Sequence, residues 1–221
     1  MIFKVRRRKY SLKEVSCSLT FVNMYTLAGI SWWQRLVEWD RTLFIKLNSQ
    51  WTHPWLDAAF PIFRDAIFWA PLYLFVLVFV ILNYGWKGLL WSLGFICAVA
   101  ITDMIGARVF KVGFERLRPC GDPEFMDQVR LLLHRCSGSY SFVSNHAANH
   151  FSIASFAFLT FRGVFKNWMY LAFLWSALIA YAQVYVGVHY PLDVLGGALL
   201  GLLTGSLMAW IFTRRVGAIA L

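Results

Sequence analysis

Three short clusters hold residue types whose spacing would allow chemistry. The first is Lys111, Arg116, Arg118 and Pro119. Lys111 and Arg118 are seven residues apart, about two helical turns, so both can face one way. Two such cations can hold an oxyanion, Arg through a planar fork and Lys as a point charge. Snorkelling charges at a helix end would look the same. The second cluster runs from Ser141 through Ser144 and Asn145 to His146, ahead of an apolar stretch. A helix starting there leaves unpaired N–H groups that favour an anion. Ser144 either caps that helix or donates to a phosphate. His146 is either a proton donor or an interfacial histidine. His150 follows at i+4, but a metal site needs a third ligand, and no metal is assigned. The third cluster is His189, Tyr190, Pro191, Leu192 and Asp193. Pro191 suits the first turn of a helix. A carboxylate one turn from an imidazole can fix its tautomer, leaving the other nitrogen free to attack an electrophile.

Such groups have to be positioned by unusually apolar elements. The 221 residues are 59% hydrophobic and 14% charged, with mean hydropathy +0.58. Soluble domains carry about a quarter charged residues, and disordered chains need low hydrophobicity. The pattern predicts an all-α fold, a polytopic membrane helix bundle. Five spans are expected, at 66–86, 88–107, 146–161, 167–188 and 194–213, all but the shorter 146–161 near the length a bilayer requires. Nothing alternates with period two as a barrel would. Residues 1–33 form a basic extension in which 15–33 reads as a weak membrane anchor and sixth span, a signal-like segment, or a surface extension. Residues 34–215 form one membrane domain, and 216–221 a short tail. Within it, residues 35–51 read as an amphipathic interfacial helix, with Asp40 on its polar face. Lys87, Arg162, Lys166, Arg214 and Arg215 share one side by parity, which the positive-inside rule makes cytoplasmic. All three clusters then meet on the outer side. The net charge of +10 suits anionic lipid head groups and an anionic substrate, not nucleic acid. Asp103, inside a span, is expected near its outer end, paired with an Arg or protonated. Oligomeric state is not legible.

Taken in order, Lys-x6-Arg-Pro, Ser-x-His and His-x3-Asp resemble the type 2 phosphatidic acid phosphatase and vanadium haloperoxidase superfamily. The stretch Val184-Tyr185-Val186-Gly187-Val188-His189-Tyr190-Pro191-Leu192-Asp193 is similar to its membrane branch. The resemblance implies a lipid phosphatase that needs no metal or cofactor and works through a phosphohistidine. His189 would be the nucleophile, Asp193 its orienting carboxylate and His146 the acid for the leaving group. Lys111, Arg118, Ser144 and the amides near Asn145 and His146 would cradle the phosphoryl oxygens. Two departures stand out. Val143-Ser144-Asn145-His146 replaces the usual Pro-Ser-Gly-His, and Ala182-Gln183 replaces Ser-Arg ahead of the histidine. One phosphate-binding cation is therefore missing. Gln183 can donate hydrogen bonds but no charge, and Arg116, Arg108 or Arg135 are the candidate substitutes. The expected location is a bacterial inner membrane with the site facing the periplasm. There Cys120 and Cys136 could pair, closing a loop of about 15 residues worth ~3 kcal/mol. The leading substrate expectation is undecaprenyl diphosphate. Alternatives are phosphatidylglycerol phosphate, phosphatidate or lipid A phosphates, a lipid-to-lipid phosphotransferase, and a non-catalytic lipid-binding or transport relative.

Overall fold

A computed structural model of the chain describes residues 31–219. The basic extension and nearly all of the expected sixth span lie outside those residues. Every regular element among the described residues is helical. The order is α1 (Trp32–Ile45), α2 (Pro54–Phe63), α3 (Ala70–Ile105), the single turn α4 (Lys111–Phe114), α5 (Asn145–Phe165), α6 (Tyr170–Tyr185) and α7 (Pro191–Val216). Short π and 3-10 turns join several of them, and an irregular loop links α4 to α5.

The chain up to Trp39 and the chain from Asp40 onward are separate units. In the first, the start of α1 is fixed by a reciprocal cap. Gln34 N–H donates to Ser31 Oγ at 3.3 Å, and Ser31 N–H donates to Gln34 Oε1 at 2.8 Å, which satisfies amides a helix start leaves open. Everything that follows concerns the second unit. There the polar-face reading of Asp40 is corrected, because this carboxylate is fully buried.

Among the described residues, three stretches are long and apolar enough to cross a membrane: Ile67–Phe114, Asn145–Tyr185 and Pro191–Val216. The sequence led us to expect five separate ones. The difference arises at two reversals that helical hydrogen bonding runs through. Gly85 adopts φ 54° and ψ −127° inside α3, a backbone that glycine reaches without steric cost. A Cβ on Gly88 would sit 2.2 Å from the Val80 carbonyl oxygen, whereas residues eight apart in a straight helix are ~12 Å apart. The chain therefore doubles back at Gly85, and Val80 packs with Trp91 and Phe95 in one core. Lys166, at φ 50°, marks the second reversal, between α5 and α6.

The closest approach in the unit is α5 against α7, and it places the second and third clusters side by side. Gly197, Gly201 and Gly205 recur every four residues along α7. A Cβ on each would lie 2.4, 2.2 and 2.3 Å from the carbonyl oxygens of Ser144, Ala148 and Ser152 respectively. Only a small-residue stripe lets two backbones approach so closely, as at membrane helix interfaces. Thr102 Oγ1 adds polar ties from α3, at 3.0 Å from Ser152 Oγ and 2.6 Å from Thr204 Oγ1. On its outer face α7 exposes Leu195, Leu199, Leu203 and Leu207, a stripe at i+4 spacing suited to hydrocarbon.

Candidate active site

The third cluster occupies the turn between α6 and α7. Gln183 is the last-turn residue that anchors it, its carbonyl accepting from Val188 N–H at 3.2 Å and His189 N–H at 3.3 Å. Pro191 opens α7, and Asp193 reaches back to accept from Tyr190 N–H at 2.8 Å. The Asp193 carbonyl also accepts from Ser144 N–H at 2.9 Å, joining the second cluster to the third. The His189 ring is buried, with Nε2 3.1 Å from Arg118 Nη1. A guanidinium only donates, so Nε2 accepts and the ring proton is assigned to Nδ1. Nδ1 lies 3.6 Å from Asp193 Oδ2, an ion-pair distance too long for a hydrogen bond. Ser141 Oγ spans that gap. It is 3.3 Å from Nδ1 and donates in a short bond to Asp193 Oδ2. Burial lowers the His189 pKa to about 4, with Arg118 and Lys111 adding to the effect against the pull of Asp193. The imidazole is neutral at pH 7, and the lone pair on Nε2 faces a cation.

Arg118 and Arg116 are held in contrasting ways. Arg118 is positioned by neutral groups: Nε donates to the Ser139 carbonyl at 2.8 Å, Nη2 to Ser139 Oγ at 2.9 Å and Nη1 to the Val188 carbonyl at 3.2 Å. Burial lowers its pKa. Arg116 bridges two fully buried carboxylates, Asp193 at 2.7 Å and Asp40 at 2.6 Å. Burial alone would lower the Arg116 pKa, but those two charges outweigh it and raise it. Asp40 in turn accepts from Leu192 N–H at 2.9 Å, fixing the start of α7. Arg116 is thus spent within the protein and is not the substitute cation the sequence offered. Lys111, at the head of α4, is electrostatically coupled to Arg118, Asp103 and Asp193.

In the second cluster, Ser144 precedes the first residue of α5. It makes no side-chain cap, and its buried Oγ has no partner. His146, in the first turn, interacts electrostatically with Arg64, His189, His150 and Arg118. Asn145 points elsewhere, its Nδ2 donating to Asp103 Oδ1 at 2.8 Å, where Asn149 also donates at 3.0 Å. Asp103 is therefore held by two amides, not by the expected Arg. Both ring nitrogens of His150 are engaged, Nδ1 with the His146 carbonyl at 2.7 Å and Nε2 with the Tyr73 hydroxyl at 2.8 Å. Cys120 and Cys136 are joined, their Cα atoms 5.7 Å apart, so the loop linking α4 to α5 is tied to itself beside Arg118.

Three residues of this constellation escaped the sequence reading. Ser141 stood in the quoted run without a role; its signal was proximity to Ser144. Asp40 was masked by the amphipathic pattern around it. Arg64 carried no signal, because it sits just past α2, far from every motif. Its Nε donates to Gln183 Oε1 at 3.1 Å. Of the other candidate substitutes, Arg108 and Arg135 are exposed. Arg135 lines a cavity of ≈ 440 Å³ together with Arg64 and Arg118.

A neutral imidazole, a relay to a buried carboxylate, unneutralised cations and an open helix start together can receive a tetrahedral oxyanion and take up its central atom. On an apolar helical scaffold these features define a phosphoryl-transfer enzyme of the membrane. The PAP2 superfamily sequence model matches residues 89–216, and the chain belongs to that superfamily. It is a lipid phosphatase. The lipid A 4'-phosphatase of Porphyromonas gingivalis is 32% identical over 190 residues, covering 83% of this chain and 78% of that protein. The lipid A 4'-phosphatase of Bacteroides thetaiotaomicron is 32% identical over 166 residues, covering 72% and 69%. The crystal structure of a PAP2-type phosphatidylglycerolphosphate phosphatase from Bacillus subtilis superposes with TM-score 0.60 at 27% identity, covering 91% of this chain and 96% of that one.

Proposed function

We propose that the protein removes the 4'-phosphate of lipid A, or of a closely similar glycolipid, through a phosphohistidine at the outer membrane–water boundary. The observation that carries the chemistry is the His189 Nε2 to Arg118 Nη1 distance of 3.1 Å, which sets a neutral nucleophile against a phosphate-binding cation. The substrate assignment is supported by the two lipid A 4'-phosphatases, which match most of this chain. It displaces undecaprenyl diphosphate, the expectation from sequence.

In this reading the phosphoryl group enters beside Arg118 and draws its Nη1 donor away from His189. Lys111, Arg118, the Ser144 hydroxyl and the first amides of α5 bind the three non-bridging oxygens. Nε2 attacks phosphorus in line as the P–O bond to the sugar breaks, and His146 gives its proton to the departing alkoxide. The positive charge appearing on His189 is shared along Nδ1–H, Ser141 and Asp193. His146 then takes a proton from water, whose oxygen attacks phosphorus, and the P–N bond breaks to release phosphate. Positioning and charge stabilisation supply most of the rate in such transfers. In this reading the apolar stretches, reversing at Gly85 and Lys166, make five crossings of an inner membrane. The site then faces the periplasm, where the disulfide is stable.

The test is phosphate release by the purified protein from a panel of lipid A, undecaprenyl diphosphate, phosphatidylglycerol phosphate and phosphatidate, in excess chelator, with His189→Ala as control. We expect lipid A to turn over fastest, at the 4' position, undiminished by chelation. Faster turnover of another lipid would refute the substrate assignment. Wild-type rates no higher than those of His189→Ala would refute the chemistry.

A further inference from the structure

The missing cation of the third motif has a replacement from outside all three motifs. We propose that Arg64 is a phosphoryl-binding residue, standing in space where the chain carries Gln183. The inference rests on the phosphatase reading above and adds to it a residue from α2's end, beyond the stretch 89–216 that matches the family.

Gln183 is fully buried, six residues before His189. Its Oε1 accepts from Arg64 Nε at 3.1 Å, while its Nε2 is buried without a partner. The amide thus acts as a bracket. It uses the inner donor of the guanidinium, and among the described residues Nη1 and Nη2 make no hydrogen bond. Arg64 also has no carboxylate within ion-pair distance among the described residues. Arg41 and Arg130 each have one, both at 2.8 Å, and Arg116 has two, at 2.6 and 2.7 Å. The neighbouring Asp65 does exert some pull on Arg64, but its Oδ1 accepts from Ile67 N–H at 3.0 Å.

Placement agrees with this chemistry. Arg64 and Arg118 line one cavity with Val188, the residue before the nucleophile, and the charge of Arg64 acts on Arg118. The charge of Arg64 also acts on His146. Two half-buried or buried guanidiniums facing one space without a counterion repel each other. Holding like charges there is costly unless an anion joins them. A phosphate monoester dianion supplies that counterion, and the fork of each guanidinium matches its oxygens. The loss of an arginine at 183 and the presence of one at 64 are then a single exchange, in which the cation has moved to another element and the freed position has become its support.

The experiment measures orthovanadate binding and steady-state hydrolysis of the preferred lipid by the full chain in detergent. The variants are Arg64→Ala, Arg64→Lys and Arg64→Ala with Gln183→Arg, each checked by thermal unfolding. A charge-assisted contact to a phosphoryl oxygen is worth about 10- to 100-fold in affinity. We expect Arg64→Ala to weaken vanadate binding and raise KM by about that factor, and Arg64→Lys to lose less. The double variant should recover most of the loss, because it returns the cation to the third motif. Arg64→Ala binding vanadate within about twofold of wild type would overturn the inference. So would a double variant that melts like wild type yet recovers nothing. If wild type itself hydrolyses no lipid phosphate and binds no vanadate, the phosphatase reading falls and this inference with it. If wild type is active and Arg64→Ala is unchanged, only the role of Arg64 falls.

Discussion

The protein contains two kinds of cationic region around the start of α7. In one, guanidiniums are neutralised by carboxylates: Arg116 with Asp40 and Asp193, Arg41 with Asp122, and Arg130 with Asp57. These pairs join α1, α2, the loop between α4 and α5, and α7, so they hold elements together. In the other, Arg64 and Arg118 are oriented by amide, hydroxyl and carbonyl groups, with no carboxylate at ion-pair distance among the described residues. Both line the cavity that includes Val188, the residue before His189. Charge that is already paired builds the fold, and charge left bare can bind a substrate anion. Arg116 and Arg118, one residue apart from adjacency, fall on opposite sides of that division. Residue type and spacing along the chain do not separate them.

That contrast can be broken by paired substitution. Arg116→Ala should leave two buried carboxylates facing each other without a cation, at a cost of about 3–5 kcal/mol in stability. Adding Asp40→Asn should return part of it. Arg118→Ala should melt within about 1 kcal/mol of wild type yet lose about 10²- to 10³-fold in kcat/KM, the usual cost of removing one preorganised donor. Thermal unfolding and kinetics on the same preparations check both. Equal destabilisation by the two changes would erase the distinction.

A smaller effect concerns pH. Burial above all, with Arg118 and Lys111 adding to it, holds the His189 pKa at about 4, against an ordinary 6.5. The imidazole therefore stays neutral well below pH 6.5, and if it is the nucleophile proposed above, the acid limb of kcat/KM attributable to it should lie near 4. Across the window from 6.5 down to 4, the unfolded chain binds a proton that the folded one refuses. Stability should therefore decline as pH falls through that range. A pH–rate profile with its limb at 6.5 that moves on Asp193→Asn would instead assign a normal pKa to His189.

Much of this was legible in the sequence because it depends on local spacing. His189 and Asp193 are one helical turn apart, and the apolar stretches mark the helices around them. The family resemblance supplied the order of the clusters. What was not legible depends on packing between elements. Ser141 bridges His189 and Asp193 only because the loop before α5 meets α7, a juxtaposition set by the glycine stripe. Asp40 reads as a surface carboxylate until α1 is laid against Arg116. Arg64 is more than a hundred residues from Gln183, and no periodicity links them. The span count was ambiguous for a related reason: at Gly85 hydrogen bonding stays helical while the chain reverses.

The central claim is that the phosphoryl group passes through the Nε2 atom of His189. Rapid acid-free quenching of wild-type protein during turnover of lipid A labelled with radioactive phosphate at the 4' position tests it most directly. We expect an alkali-stable, acid-labile label on the peptide containing His189, absent from His189→Ala and longer-lived in His146→Ala, where water activation is lost. A protein that turns over at full rate while no label accumulates in His146→Ala, or whose label maps to another residue, would contradict it.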